Sequence, residues 1–477
     1  MAKAVTGWAD LVIASNRGPV SFTLDGDGLL VRHDGSGGLV STLRPLIEGT
    51  GATWVAAAMS PGDRRAAAEG LMTTEGMRVA PVVVDEDIYR MAYDVIANSA
   101  LWFLHHHLYD LSRRPRIDHH WKEAWDAYRE LNRAFAETIA QAARPGALVL
   151  VQDYHLALVG EFLPGMRPDL RTVHFSHTPF CAPEMLAPLP DTCARELIAG
   201  MAGFGARGFH SQRWAAAYRG CAHLVLGSEP STFVAPLGPD PAHLETCASA
   251  PERERNRTWL AEHVGERKMI LRVDRMEPSK NLLRGFFALD ELLANSPRWR
   301  GEVVFVALLN LSRQSLALYR TYQAEVETAA AYVNARWGTD DWTPVVLDVT
   351  DDFGLSVAAM ERYDVLLVNP VRDGLNLVAK EGPLLNKTDG VLVLSREAGS
   401  YDELGDIALG INPFDVAATA EAVERALAMA PHERAARALA LDERVRSRRA
   451  EDWLDDQRAA GGEKTDSAAA GRRRSSA

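Results

Sequence analysis

The densest chemistry in the sequence lies at Asn369-Pro370-Val371-Arg372-Asp373-Gly374-Leu375-Asn376-Leu377-Val378-Ala379-Lys380-Glu381, directly after the apolar run Val365 to Val368. A strand that ends in Asp-Gly and passes into a helix aims backbone N–H groups and the positive end of the helix dipole at whatever lies above it, which makes an anion site. Gly374 allows close backbone approach, Asp373 offers a carboxylate to sugar hydroxyls, and Glu381, about two turns on, reaches both hydroxyls of a ribose. The plainer reading of the same residues is a helix cap at Asp373 and a solvated Glu381. A second cluster, Arg275-Met276-Glu277-Pro278-Ser279-Lys280-Asn281, also follows an apolar run, with Ser279 placed to cap the helix that Leu282, Leu283, Phe286, Phe287, Leu289 and Leu293 define. Arg275 and Lys280 would neutralise a diphosphate leaving group as its charge develops, a role that other enzymes give to Mg²⁺. Their alternative is a surface ion pair.

The first half carries weaker signals of the same kind. Ser15-Asn16-Arg17-Gly18 follows the first apolar run, and Gly35-Ser36-Gly37-Gly38 opens a helical stretch, an arrangement that holds phosphate in some proteins and only makes a turn in others. Gln152-Asp153-Tyr154-His155 and His177-Thr178-Pro179-Phe180 each end a strand, where Asp153 and His177 can orient sugar hydroxyls. His105-His106-His107 does not read as a metal cluster, since adjacent helical side chains diverge. No metal and no cofactor is expected.

These segments need a scaffold that presents strand ends. Leu11 to Ile13, Leu148 to Val151, Val173 to Phe175 and Leu224 to Leu226 are short, wholly apolar runs, as parallel strands covered on both faces require. Between them Tyr128, Leu131, Phe135 and Ile139 mark one face of a helix from Trp125 to Ala143. After a Pro-rich, polar stretch, Pro236 to Arg257, read as a linker, the grammar restarts with Met269 to Leu271, Val303 to Leu309, Pro344 to Val349, Val365 to Val368 and Val391 to Leu394. The economical reading is an α/β chain of two doubly wound domains, 1–236 and 237–430, with ligand at the carboxyl ends of their strands and a cleft between domains. A last helix, Pro431 to Gln457, precedes a tail, 458–477, whose Ala, Gly, Ser and Arg composition cannot form a core.

Bulk properties exclude several classes. A net charge of -12 argues against a nucleic-acid surface. Four cysteines, Cys181, Cys193, Cys221 and Cys247, show no CxxC spacing and suit a reducing compartment. No apolar run approaches the roughly 18 residues of a membrane span, and Met1 to Asp10 does not read as a leader. A cytoplasmic chain is expected, with no membrane partner; a homo-oligomer is compatible with this reading.

Taken together, the five segments resemble the trehalose-6-phosphate synthase family, glycosyltransferase family 20, up to about residue 455. Order, spacing and strand-end position all agree, above all in Arg372 to Glu381. The resemblance implies a GT-B fold of two Rossmann-like domains, with the last helix returning to the N-terminal one. It also implies a retaining transfer of glucose from UDP-, GDP- or ADP-glucose to glucose 6-phosphate or a similar phosphorylated acceptor, the departing diphosphate helping to deprotonate the incoming hydroxyl. By that resemblance Gly37, His177, Arg275, Lys280, Asp373, Gly374, Leu375, Asn376, Leu377, Val378 and Glu381 hold the donor. Arg17, Tyr93, Trp102, Asp153 and Arg313 surround the acceptor, and Asp153, His177, Arg275, Lys280 and Asp373 carry the chemistry. Three departures stand near ligand-facing loops: Ala56-Ala57-Ala58-Met59 replaces a Gly-Trp-Ser-Gly stretch, Ser21 to Asp34 forms a longer loop, and Asn281 replaces a glycine. The alternatives are a glucosylglycerol-phosphate synthase, a pseudo-glycosyltransferase that couples a nucleotide-cyclitol to an aminocyclitol phosphate, or a silent regulatory subunit. The last predicts erosion of donor residues, which the retention of Arg275, Lys280, Asp373 and Glu381 opposes.

Overall fold

A computed structural model describes residues 9–35 and 38–463. Gly37, and the tail beyond Glu463, lie outside them. The described chain forms two compact units, one running to Pro236 and resuming at Glu451, the other Leu237–Ala450.

In the first unit Ala9–Ser15, Thr53–Ala57 and Met77–Val82 run outward on one side, and Ala143–Gln152, Arg171–Ser176, Ala206–Phe209 and Phe233–Val234 on the other, all parallel. Strand order therefore reverses between Ala9–Ser15 and Ala143–Gln152, the place where doubly wound sheets bind ligands. In the second unit Lys268–Arg275 and Val365–Val368 flank the corresponding reversal, with Val303–Asn310 and Val345–Asp348 on one side and Val391–Ser395 and Leu409–Ile411 on the other. Strands such as Val303–Asn310 are buried along almost their whole length, which is why they read as continuous apolar runs.

The structure corrects several local readings. Leu224 to Leu226 is no strand but the end of helix Gln212–Leu226, closed by Gly227 in the left-handed conformation; its buried face is Trp214, Ala215, Tyr218, Cys221 and Ala222, and Leu224 is exposed. The helix read from Trp125 starts earlier, at His119, because the Asp118 side chain accepts from the Trp121 N–H. The linker contains helices Pro241–Ala248 and Arg253–Val264, the latter burying Asn256, Leu260 and Val264. Ser21 to Asp34 is mostly the hairpin Val20–Leu24 and Leu30–Asp34, whose Val20 and Phe22 pack with Ala66, Met72 and Val79. The single last helix is two, Pro431–Arg446 and Ala450–Ala460. The first belongs to the second unit, where Arg434 pairs with Asp364; the second packs Trp453 edge-on to Phe175 in the first unit.

Candidate active site

At the second unit's reversal, the last residue of Lys268–Arg275 and the turn after it carry the cations. Lys280 Nζ lies 2.5 Å from Asp373 Oδ2 and 3.7 Å from Asp274 Oδ1, and all three side chains are largely buried. Burial opposes the lysine's charge, but Asp373 and Asp274 outweigh it and hold its pKa above the ordinary range. Arg275, more than half exposed, sits 3.2 Å from the buried Glu277. Glu277 Oε1 also accepts from Ser312 Oγ at 2.8 Å and lies 3.6 Å from Arg313 Nη1. Burial would raise its carboxyl, yet Arg275, Arg313 and Lys280 together bring it down to about 2. Arg313, at φ +45°, additionally donates to Tyr319 Oη at 2.5 Å.

The scaffold beneath is a buried arginine on the central strand. Arg272 donates through Nε to Asp274 at 3.0 Å and through Nη2 to the Lys280 carbonyl at 2.5 Å and to Asn369. Gly285 makes room for it: a Cβ there would stand 2.4 Å from the guanidinium. Ser279 is buried inside the 3₁₀ turn Pro278–Lys280 and does not cap the helix. Instead Asn281, at φ +59°, precedes helix Leu282–Asn295; its amide donates to the Asn369 and Pro413 carbonyls at 2.9 and 2.7 Å. Asparagine tolerates the left-handed region better than most residues, which accounts for its standing where a glycine was expected.

The Asp-Gly segment does not enter a helix at once. Helix Val378–Leu385 starts four residues after Gly374, so Glu381 falls in its first turn rather than two turns in. The intervening residues are zipped to the loop after Val391–Ser395: Asp373 N–H donates to Glu397, Gly399 N–H to Asp373 and Ser400 N–H to Leu375, at 2.8–3.0 Å. Asn376, at φ +77°, donates to Asp373 Oδ2 at 3.2 Å and accepts from the Ala379 N–H at 3.3 Å, so the helix start is held by Asn376 and not by Asp373, against the plainer reading of that carboxylate. Leu377 and Val378 are half-buried. Glu381 is half-buried as well, and burial pushes its carboxyl up to about 7. Lys380 is buried, and it bonds the Leu237 carbonyl and Glu403 at 2.8 and 2.6 Å.

The first unit's reversal is built from polar groups that hold one another. Asp153 adopts φ +71°, costly for a residue with a Cβ and the kind of strain that gathers at functional sites. Its Oδ1 accepts from the His177 and Thr178 N–H groups at 3.1 and 3.3 Å, fixing that turn. His177 Nε2 donates to Gln152 Oε1 at 2.9 Å, and Nδ1 accepts from His210 Nε2 at 3.1 Å. Burial, reinforced by His174, brings the ring down to about 3. Both ring nitrogens of His177 thus have partners within the protein. Arg17 is exposed at the other strand end. Next to it Asn16 donates to Tyr89 Oη at 3.1 Å, Tyr89 stacks on Tyr93 at 5.4 Å, and Tyr93 on His155 at 5.7 Å. Tyr93 lies on Met91–Leu101, wound as a π-helix, a form concentrated at functional sites. Trp102 is 2% exposed and packs on His106 and Phe103. His105 and His107 accept from the Cys181 and Ala182 N–H groups, and His106 donates to the Trp102 carbonyl, so the triple histidine serves the fold.

Sequence reading assigned no role to Glu277 or Gln152, though both lie in the segments singled out, and did not point to Asp274, Arg272, His210, Ser312 or Tyr319. The available signal was charge at 272, 274 and 275 on a strand that had to be central.

Each unit is a doubly wound α/β sheet with polar residues gathered at its strand ends, the place where such sheets bind ligands. Residues 9–459 match the model of glycosyltransferase family 20, and the chain belongs to that family. It is 30% identical to a trehalose-6-phosphate synthase of Mycolicibacterium smegmatis, covering 98% of this chain and 96% of that one. It is 31% identical to a bifunctional trehalose-6-phosphate synthase/phosphatase of Thermoproteus tenax over 94% of its own residues, and spans 62% of that protein. Among solved structures it resembles the UDP-forming alpha,alpha-trehalose-phosphate synthase of Burkholderia xenovorans in complex with glucose-6-phosphate. There the TM-score is 0.81 at 27% identity, over 95% of this chain and all of that one. Among the described residues no helix is long and apolar enough to cross a membrane.

Proposed function

We propose that this chain transfers glucose, with retention, from a nucleoside-diphosphate glucose to glucose 6-phosphate, giving trehalose 6-phosphate. The observation that carries the reading is the second unit's reversal point, where Arg275, Lys280, Asp373 and the Gly374 to Val378 backbone gather around the ends of two adjacent strands. Lys280 and Arg275 neutralise the diphosphate as the glucosyl bond breaks, Asp373 accepts from a glucose hydroxyl, and Glu381 accepts from the ribose. UDP-glucose is the first donor to test, since the Burkholderia xenovorans relative is UDP-forming.

For the acceptor, Arg313 in the second unit is proposed for the phosphate, and Arg17, Tyr93 and Trp102 are the acceptor residues proposed in the first. Guanidinium suits this role because its planar fork pairs with phosphate oxygens bidentately. His177 is neutral and doubly hydrogen-bonded, so its ring shapes the site with Asp153 and takes no proton. The acceptor hydroxyl's proton passes instead to the departing phosphate oxygen as that hydroxyl's oxygen bonds to the anomeric carbon. Incubation with UDP-, GDP- and ADP-glucose against glucose 6-phosphate, glycerol 3-phosphate and glucose, read by mass spectrometry and NMR, is expected to yield α,α-trehalose 6-phosphate. Turnover only with another phosphorylated acceptor would move the chain to a neighbouring activity, and no turnover with any pair would contradict the reading.

A further inference from the structure

We infer that Glu277 is a positioning residue that orients two arginines of the reaction at once, Arg275 toward the donor's diphosphate and Arg313 toward the acceptor's phosphate; the inference rests on the function proposed above. The two arginines come from neighbouring strands. Arg275 ends Lys268–Arg275, Arg313 lies three residues past Val303–Asn310, and Arg275 is in register with Asn310. Glu277, 1% exposed, stands between them and is tied to both strand ends: its N–H donates to the Arg275 carbonyl at 2.8 Å, while the Met276 N–H donates to Asn310 at 2.7 Å. A single oxygen, Oε1, receives Ser312 Oγ and faces both guanidinium groups. An enzyme that must hold two anionic substrates close together needs cations close together, and cations repel; a buried carboxylate between them holds them in place.

The sign of the expected effect separates orientation from charge. Replacing Glu277 by glutamine keeps shape and a hydrogen-bond acceptor but makes the site more positive, so plain attraction for anions is not weakened. What is lost is geometry: Arg275 loses its carboxylate, and Arg313 keeps Tyr319 alone of the partners named above. E277Q is therefore expected to lower kcat roughly tenfold through misplacement, to bind UDP as tightly as the wild type or more tightly, and to favour glucose 6-phosphate over glucose less. E277D should recover part of kcat, and S312A should move it in the same direction by about threefold, the weight of one modest hydrogen bond. In an R313A background, E277Q should alter the acceptor preference little further, because one of the groups it orients is gone. A role in folding alone would instead lower the melting temperature and weaken UDP binding along with kcat, and that result overturns the inference. Two controls keep it distinct from the functional reading. R275A should weaken UDP binding and R313A should raise KM for glucose 6-phosphate. If both act and E277Q and S312A turn over like wild type, the positioning role alone is wrong. If neither acts, the functional reading fails and takes the positioning role with it.

Discussion

The two reversal points hold their polar groups in opposite ways. In the second unit charge meets charge: Lys280 between Asp373 and Asp274, Glu277 beside Arg275 and Arg313, Arg272 against Asp274. In the first, His174 is buried and His177 partly so, both held neutral by burial at about 4 and about 3, and Asp153 uses Oδ1 to fix two backbone N–H groups. A charged leaving group needs countercharge that is already in place, because reorganising it during reaction costs rate. Sugar hydroxyls need only shaped, neutral hydrogen-bonding walls. On the proposed function, the countercharge for the leaving diphosphate is gathered at the second unit's reversal point.

The contrast breaks most visibly at Lys280. Lys280→Ala should cut kcat roughly a hundred- to a thousandfold, as removal of a charge-stabilising donor does elsewhere, with folding checked by circular dichroism. Asp373→Ala should cost roughly ten- to a hundredfold, a lost bond between a charged group and a sugar hydroxyl. Turnover near wild type in either folded variant removes that residue from the site. Next in size, Arg313→Ala should raise KM for glucose 6-phosphate roughly tenfold or more while changing donor affinity little, measured as initial rates with each substrate varied. The smallest effect is a pH dependence. Burial raises the Glu381 carboxyl to about 7, so below that pH it is increasingly protonated and a poorer acceptor for ribose hydroxyls. Nucleotide affinity should then fall roughly threefold between about pH 8 and pH 6, the weight of one weakened hydrogen bond, and Glu381→Gln should flatten the profile. For stability the sign runs the other way: a raised carboxyl favours the fold below the unfolded value, and that contribution is lost as pH rises through about 7. Glu381→Gln should therefore melt higher than wild type mainly above pH 7.

Much of this was legible in the sequence because parallel strands announce themselves as bare apolar runs, and the residues just past them are where ligands bind. Arg275, Lys280 and Asp373 were found that way, and the structure brings Lys280 and Asp373 into contact. Leu224 to Leu226 misled because three apolar residues at a helix end look like a strand when the spacing of Trp214, Tyr218 and Cys221 goes uncounted. Helix capping, the plainer alternative for Asp373, falls to another residue. Asn376 has positive φ and turns the chain first, a conformation that asparagine permits but does not announce. Partners such as Glu277 and His210 were invisible since pairing across strands depends on register, which one sequence does not encode locally.

If nucleotide binding is the work of the second unit's charged reversal point, UDP affinity must depend on Lys280 and not on Asp153. Calorimetric titration of UDP into wild type, Lys280→Ala and Asp153→Asn tests it most directly. Lys280→Ala is expected to weaken UDP at least roughly tenfold, the loss of one charge-assisted contact, while Asp153→Asn binds it as wild type does. Equal affinity in Lys280→Ala, or a loss confined to Asp153→Asn, would contradict it.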